Sequence, residues 1–253
     1  MTESTRLQNF WHDPSKKVLD ERSRTIYWDI CNQHFGPERP LDILEIGVFK
    51  GTLARLLTDQ IKVKSYTGVD PYIGGFSSSY FGGYWWGQGG SDEIYESTKS
   101  LYDSRNFQLL RKMSHQFWTE CNKTYDVIIV DGDHTLEIAL WDMHHWFQLV
   151  RPGGLLMVDD YDNPDTPDVT RATNRFLQRN TQQIARTGYQ HFEFLNANKV
   201  IPIGMSVVYA EKKEGATNQK HLDFKSRLTA TSRIKRMAIN SGRLAKRWVA
   251  PKR

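Results

Sequence analysis

Five side chains able to do metal or proton chemistry fall in two short clusters. Asp131, Asp133 and His134 follow the apolar run Val127–Val130, and Asp159 and Asp160 follow Leu155–Val158, within YDVIIVDGDHT and RPGGLLMVDDY. Carboxylates crowded together repel, and without a cation some must stay protonated. A hard divalent cation removes that conflict, and an all-oxygen set suits magnesium, manganese or calcium better than zinc. The competing reading is that these acids cap the helices that follow them and are solvated. Two acidic strand ends in one unit favour the cation; one alone would favour the cap.

The elements that must position these residues are readable. Short aliphatic runs bounded by turn residues are buried strands of a parallel sheet. Between them, Leu136 to Val150 has helical length and sets Leu136, Leu140, Met143, Phe147 and Val150 near one face. A strand–helix–strand crossover is right-handed and brings both acidic ends to one sheet edge, where open α/β sheets bind ligands. Upstream, Leu41–Ile46 reads as a strand and Thr52–Leu57 as the start of a helix. The turn between them, from Glu45 to Gly51, carries Gly47 and Gly51, which permit close approach of a ligand to the backbone. It lacks the G-x-G-x-x-G spacing, which argues against NAD. The next strand, Ser65–Val69, ends at Asp70-Pro71. An acid there, about twenty residues after the turn, can accept hydrogen bonds from both ribose hydroxyls. The alternative is a simple turn-forming Asp-Pro.

LEIGVFKG, YTGVDPY, YDVIIVDGDHT and LVRPGGLLMVDDY together resemble a class I S-adenosylmethionine-dependent methyltransferase over about residues 41–212. More narrowly they resemble the macrocin and novobiocin-type sugar O-methyltransferases, which need a divalent metal. The resemblance implies a Rossmann-like α/β fold: a doubly wound, mostly parallel seven-stranded sheet with an antiparallel edge hairpin. It implies S-adenosyl-L-methionine and Mg2+ as cofactors, with Asp131, Asp159 and Asp160 as metal ligands and Asp133 as general base. His134 is the alternative base, or caps the next helix. Glu45, Gly47 and Gly51 would line the methionine end of the donor and Asp70 its ribose. Met113 and Ser114, after the strand in FQLLRKMSHQF, would lie near the adenine. The implied acceptor is a glycoside or glycan hydroxyl.

Around this domain, 41–212, the chain carries two further regions. Residues 1–40 read as a helical cover, with a helix from about Leu7 to Phe35. Residues 213–253 form a basic tail; after Gly215 it has eleven Lys or Arg against one acid, about +10, so the rest is about −5 although the whole is +5. Within 228–249, Ile234, Met237, Leu244 and Trp248 fall near one helical face among basic residues. Such a helix suits an anionic membrane surface; a solvated disordered tail is the competing reading. Nucleic acid is the weaker expectation, since its binding needs no apolar stripe. The insertion 74–90, GGFSSSYFGGYWWGQGG, is an acceptor lid or an aromatic packing patch. Helices are expected at Asp92–Tyr102 and Val169–Arg179, with Arg171 near the acceptor, and strands at His191–Leu195 and Ile203–Tyr209. Cys31 and Cys121 form no disulfide framework or zinc spacing, and no run reaches a membrane span. The expected setting is a reducing cytoplasm, peripheral to a membrane if the tail binds one, and a homo-oligomer is compatible with the chain. Three rivals remain. A phenolic or catechol O-methyltransferase would use a lysine base, which the residues after Asp131 do not supply. An RNA or protein methyltransferase would use the basic tail. A non-enzymatic binding protein would keep a degenerate cofactor fold.

Overall fold

The structure is a computed structural model and describes residues 24–73, 91–163, 166–196 and 199–216. Helix α1, Thr25–Phe35, precedes strand β1, Leu41–Ile46. Then follow α2 (Thr52–Thr58), β2 (Val63–Val69), α3 (Ser91–Ser104), β3 (Gln108–Leu110), α4 (Ser114–Glu120), β4 (Tyr125–Val130) and α5 (Leu136–Trp146). A 3-10 turn, Phe147–Leu149, leads into β5 (Val150–Val158), then α6 (Pro167–Arg179), β6 (Ile184–Asn196) and β7 (Lys199–Lys212). One seven-stranded sheet has the order β3-β2-β1-β4-β5-β7-β6. β1 to β5 pair in parallel, and β7 runs antiparallel to both β5 and β6. This is the expected doubly wound sheet with its antiparallel edge.

Strand alternation divides the core into two layers. On one face, Leu44, Ile46, Ile128, Val130, Leu156 and Val158 pack with Trp118 of α4, Met143 and Trp146 of α5, and Phe176 of α6. On the other, Leu41, Ile43, Val127, Ile129, Leu155 and Met157 pack with Ile26, Tyr27 and Ile30 of α1, Leu53 of α2 and Tyr102 of α3. So α1 lies against the sheet. The expected helix start near Leu7 falls outside the described residues, as do the insertion 74–90 and the tail from 217 onward.

The crossover helix is shorter than its periodicity suggests. It ends at Trp146, and Val150 already belongs to β5. Its buried face is Ala139, Asp142, Met143 and Trp146, while Leu136 and Leu140 are only partly covered. The Lys212 ammonium explains the stop. It is fully buried and donates to the carbonyls of Phe147 (3.3 Å), Gln148 (3.1 Å) and Val150 (2.9 Å), pulling those groups out of helical register. At the sheet edge remote from the acidic clusters, Arg151 bridges Asp126 (2.6 Å) and Asp42 (2.7 Å), and Arg39 adds 2.9 Å to Asp126. Burial alone would raise the Asp42 carboxyl, but hydrogen bonds from Ser65, Arg151 and Lys123 bring it below the usual carboxylate range.

Candidate active site

Register sets the site. Ile46 pairs with Val69 and Val130, Val69 with Leu110, and Val130 with Val158. The residues that follow these pairs, Gly47, Asp70, Asp131 and Asp159, therefore leave the sheet at one level. Between β1 and β4 the strand order reverses, which opens a crevice at the carboxyl ends. Gly47 forms one wall with φ +88°, and a Cβ there would stand 1.9 Å from the backbone oxygen of Asp131. Only glycine lets these two strand ends meet. Gly51, at φ +69°, is the residue before α2, and a side chain on it would press on Leu101 and Thr98.

Asp70 holds this turn. Its Oδ2 accepts the N–H groups of Val48 and Phe49, both at 3.0 Å, and its Oδ1 accepts that of Tyr72 at 2.7 Å. The turn-forming role considered for Asp70 is therefore present, and a ribose would use its remaining lone-pair capacity. Glu45 is buried, and its Oε2 accepts hydroxyls from Tyr66 (2.9 Å) and Tyr102 (3.0 Å). Burial pushes its carboxyl up to about 7 in spite of both bonds.

The acids after β4 and β5 do meet. One ligand atom each from Asp131, His134 and Asp160 lies within 4.8 Å of the others. His134 Nε2 is 3.1 Å from Asp160 Oδ2. Asp160 is held at φ +56°, a conformation rare for a residue with a side chain, and its Oδ1 accepts Asn163 Nδ2 at 2.8 Å. Asp159 is buried beside this group, with Oδ1 accepting the N–H of Asp160 at 2.8 Å. Burial and then repulsion from Asp159 raise Asp131 well above its ordinary value; burial and then Asp160 raise Asp159 to about 6. Asp133 and His134 divide their work differently from the capping role considered for His134. Asp133 Oδ1 accepts the N–H of Thr135, the residue before α5, at 2.8 Å, while His134 turns to Asp160.

Two residues of α1 and its entry, which sequence reasoning missed, reach the same place. Arg24 Nη1 stands 3.8 Å from Asp131 Oδ2, and its charge acts on Asp159 and Glu45 as well. Tyr27 is fully buried; its hydroxyl lies against Asp159 and makes no well-formed hydrogen bond among the described residues, and Asp159 and Asp131 both act on it. Their only sequence signal was a helix before β1, and the face it presents depends on packing. Met113 and Ser114 follow β3 at the same sheet edge. Ser114 is already committed, donating to Asp142 and accepting Trp146 Nε1 at 2.7 Å. Arg171 pairs with Asp168 on its own helix and is largely exposed. Tyr161 and Tyr189 make an edge-on ring pair (5.7 Å), and Tyr189 lies near-parallel to His191, an aromatic surface on the β6 side of Asp160.

Residues 44–161 match the family model described as a methyltransferase domain. An uncharacterized protein, R132, of Acanthamoeba polyphaga mimivirus is 25% identical over 139 residues, which is 54% of this chain and 59% of that one. The matched part thus spans less than two thirds of that relative. Among solved structures, a putative rRNA methylase from Clostridium thermocellum has a TM-score of 0.51 at 12% identity, covering 77% of this chain and 97% of the other. The N-methyltransferase NodS of Bradyrhizobium japonicum WM9 also has a TM-score of 0.51, at 11% identity, covering 77% and 96%. Residues 44–161 are thus similar to a methyltransferase domain, and the seven-stranded, mostly parallel sheet is the fold shared with these solved structures.

Proposed function

We propose that this protein transfers a methyl group from S-adenosylmethionine to a sugar hydroxyl of a glycoside or glycan, assisted by a divalent cation such as Mg2+. The observation that carries the reading is the convergence of Asp131, His134 and Asp160 within 4.8 Å at the strand-order reversal, beside Gly47. The residues suit a cation: mutually repelling carboxylates next to an orphaned buried hydroxyl on Tyr27. Asp131, Asp159 and Asp160 are the residues that would hold it. Bound there, a divalent cation lowers the proton affinity of an acceptor hydroxyl.

The donor's methionine end fits the bare backbone at Gly47 and Gly51, with Glu45 behind it and Asp70 toward the ribose. Asp133 keeps one carboxylate oxygen outside its bond to Thr135, and that oxygen takes the acceptor's proton. The acceptor oxygen then attacks the methyl carbon as its bond to sulfur breaks, leaving S-adenosylhomocysteine. Tyr161, Tyr189 and His191 offer flat faces to a sugar ring. The sugar acceptor rests on the motif resemblance together with this aromatic surface.

The test is methyl transfer from labelled donor to a panel of glycosides, with Mg2+ or after chelation. Asp133→Asn is expected to lower turnover by about 100-fold or more while cation and donor binding persist. Absence of calorimetric binding of either S-adenosylmethionine or S-adenosylhomocysteine would sink the enzyme reading. Transfer to catechols but not glycosides would reassign the acceptor.

A further inference from the structure

We infer that His134 is itself a cation ligand, with Asp131 and Asp160, so that the site favours a borderline transition ion such as Mn2+, Co2+ or Ni2+ over Mg2+. The inference rests on the preceding reading that this cluster binds a divalent cation. It changes the ligand set and therefore the ion.

Asp159 Oδ1 is occupied by the N–H of Asp160. Its carboxylate is buried, and the three-residue group that closes to within 4.8 Å does not include it. Asp160 has one oxygen on Asn163 and presents the other, Oδ2, toward His134 Nε2 at 3.1 Å. Its left-handed φ of +56° turns Asp160 away from the path of β5, a strained conformation that needs surrounding contacts to hold it. His134 is not used as a helix cap: Thr135 is the N-cap of α5 and no side chain bonds to the helix start. Its ring nitrogen is therefore left at the meeting point of two carboxylates from different strand ends.

A second, independent feature points at a missing polar occupant. The Tyr27 hydroxyl, on the opposite layer, is fully buried against the Asp159 carboxylate and makes no well-formed hydrogen bond among the described residues. Buried hydroxyls are normally satisfied. A hydrated ion among these groups supplies the kind of partner it lacks. Arg24 contributes a positive charge at 3.8 Å from Asp131, too little for three carboxylates.

An imidazole in the set changes selectivity in a definite direction. Magnesium strongly prefers oxygen, whereas nitrogen ligation favours later divalent ions along the series from Mn2+ to Cu2+.

The experiment uses the full chain, stripped with chelator and titrated separately with Co2+, Mn2+ and Mg2+. Co2+ is expected to bind at least ~10-fold tighter than Mg2+. His134→Gln is expected to lose about 10-fold or more in Co2+ affinity and to alter the visible Co2+ spectrum, with Mg2+ affinity changed by less than about 3-fold. Pulsed paramagnetic resonance on wild-type protein loaded with Mn2+ should detect coupling to a ring nitrogen, a readout independent of whether the variant folds. If Asp131→Asn abolishes binding while His134→Gln leaves affinity and spectrum unchanged and no nitrogen coupling is seen, His134 is not a ligand, yet the cation site survives. If no ion binds the wild type, both readings fall.

Discussion

Gly47 tolerates change less than any other residue of the site, because its missing side chain is occupied by the Asp131 carbonyl. Gly47→Ala must push apart the ends of β1 and β4, since a contact of 1.9 Å cannot be absorbed by a rotamer. The expected cost is about 2–4 kcal/mol in chemical denaturation, together with loss of donor binding. A variant with wild-type stability would show that the two strand ends are not in contact. Asp142 gives a second prediction, with a pH sign. Burial, opposed by Ser114, pushes its carboxyl up to about 7, so the folded state holds a proton that the unfolded chain releases near pH 4. Its contribution to stability is complete below that pH and falls as pH rises to about 7. Between pH 4 and pH 8 the metal-free wild type should lose about 3 kcal/mol relative to Asp142→Asn in urea melts; parallel curves would contradict this. The glycine turn and the acids were legible because their residue types and strand-end positions are local facts. The turn of His134 toward Asp160 was not, because neighbouring side chains at a turn differ only in which way the backbone aims them. Asp142 was hidden inside the expected apolar face of a helix.

At the scale of elements, one ammonium decides where α5 ends. Lys212 lies in β7 and answers three carbonyls of the segment joining α5 to β5. Lys212→Met keeps the apolar stem and removes all three bonds. A loss of about 3 kcal/mol is expected, with cation and donor affinities unchanged because this contact lies away from the acidic strand ends. Burial lowers the Lys212 amine to about 8, so its protonated, bonded form contributes less than an exposed pair would. Stability from this group should rise as pH climbs from about 8 toward the ordinary lysine value. Unchanged thermal stability in the variant would mean that the 3-10 turn caps itself. A lysine ending a helix it does not belong to leaves no periodic trace, which explains why the expected helix ran on to Val150. β6 begins at Ile184, seven residues before its expected start, for a related reason. Its opening residues, ARTGYQ, are mixed in polarity because it is an edge strand, so hydrophobic alternation marks only part of its length. Of the buried central strands β1 was read to the residue, whereas β4 and β5 end where expected but begin at Tyr125 and Val150, before the apolar runs that mark them.

Across the whole molecule, the sheet brings the proposed donor and cation sites to one edge, and this would couple them. Asp131 contributes backbone to the wall at Gly47 and a carboxylate to the acidic cluster, so neither site can change charge unnoticed by the other. S-adenosylmethionine and S-adenosylhomocysteine share every recognition group except the sulfonium charge. With the proposed cation absent, those of Asp131, Asp159 and Asp160 that are ionised attract that charge and favour the methyl donor. With the cation bound, the field weakens and the neutral product loses less affinity than the donor does. The ratio of donor to product affinity should therefore fall on adding cation, by about 3- to 10-fold at low ionic strength, an electrostatic coupling of ordinary size. Linkage requires the reciprocal result: the cation must bind more weakly to the donor complex than to the product complex by the same factor. Both halves can be measured by calorimetry on the full chain, with the product complex as reference. The coupling should shrink as salt is raised, because partly exposed charges are screened. A donor-to-product ratio indifferent to cation would separate the two sites electrically, and the acidic cluster would then have to be placed farther from the reacting sulfur than the shared Asp131 implies.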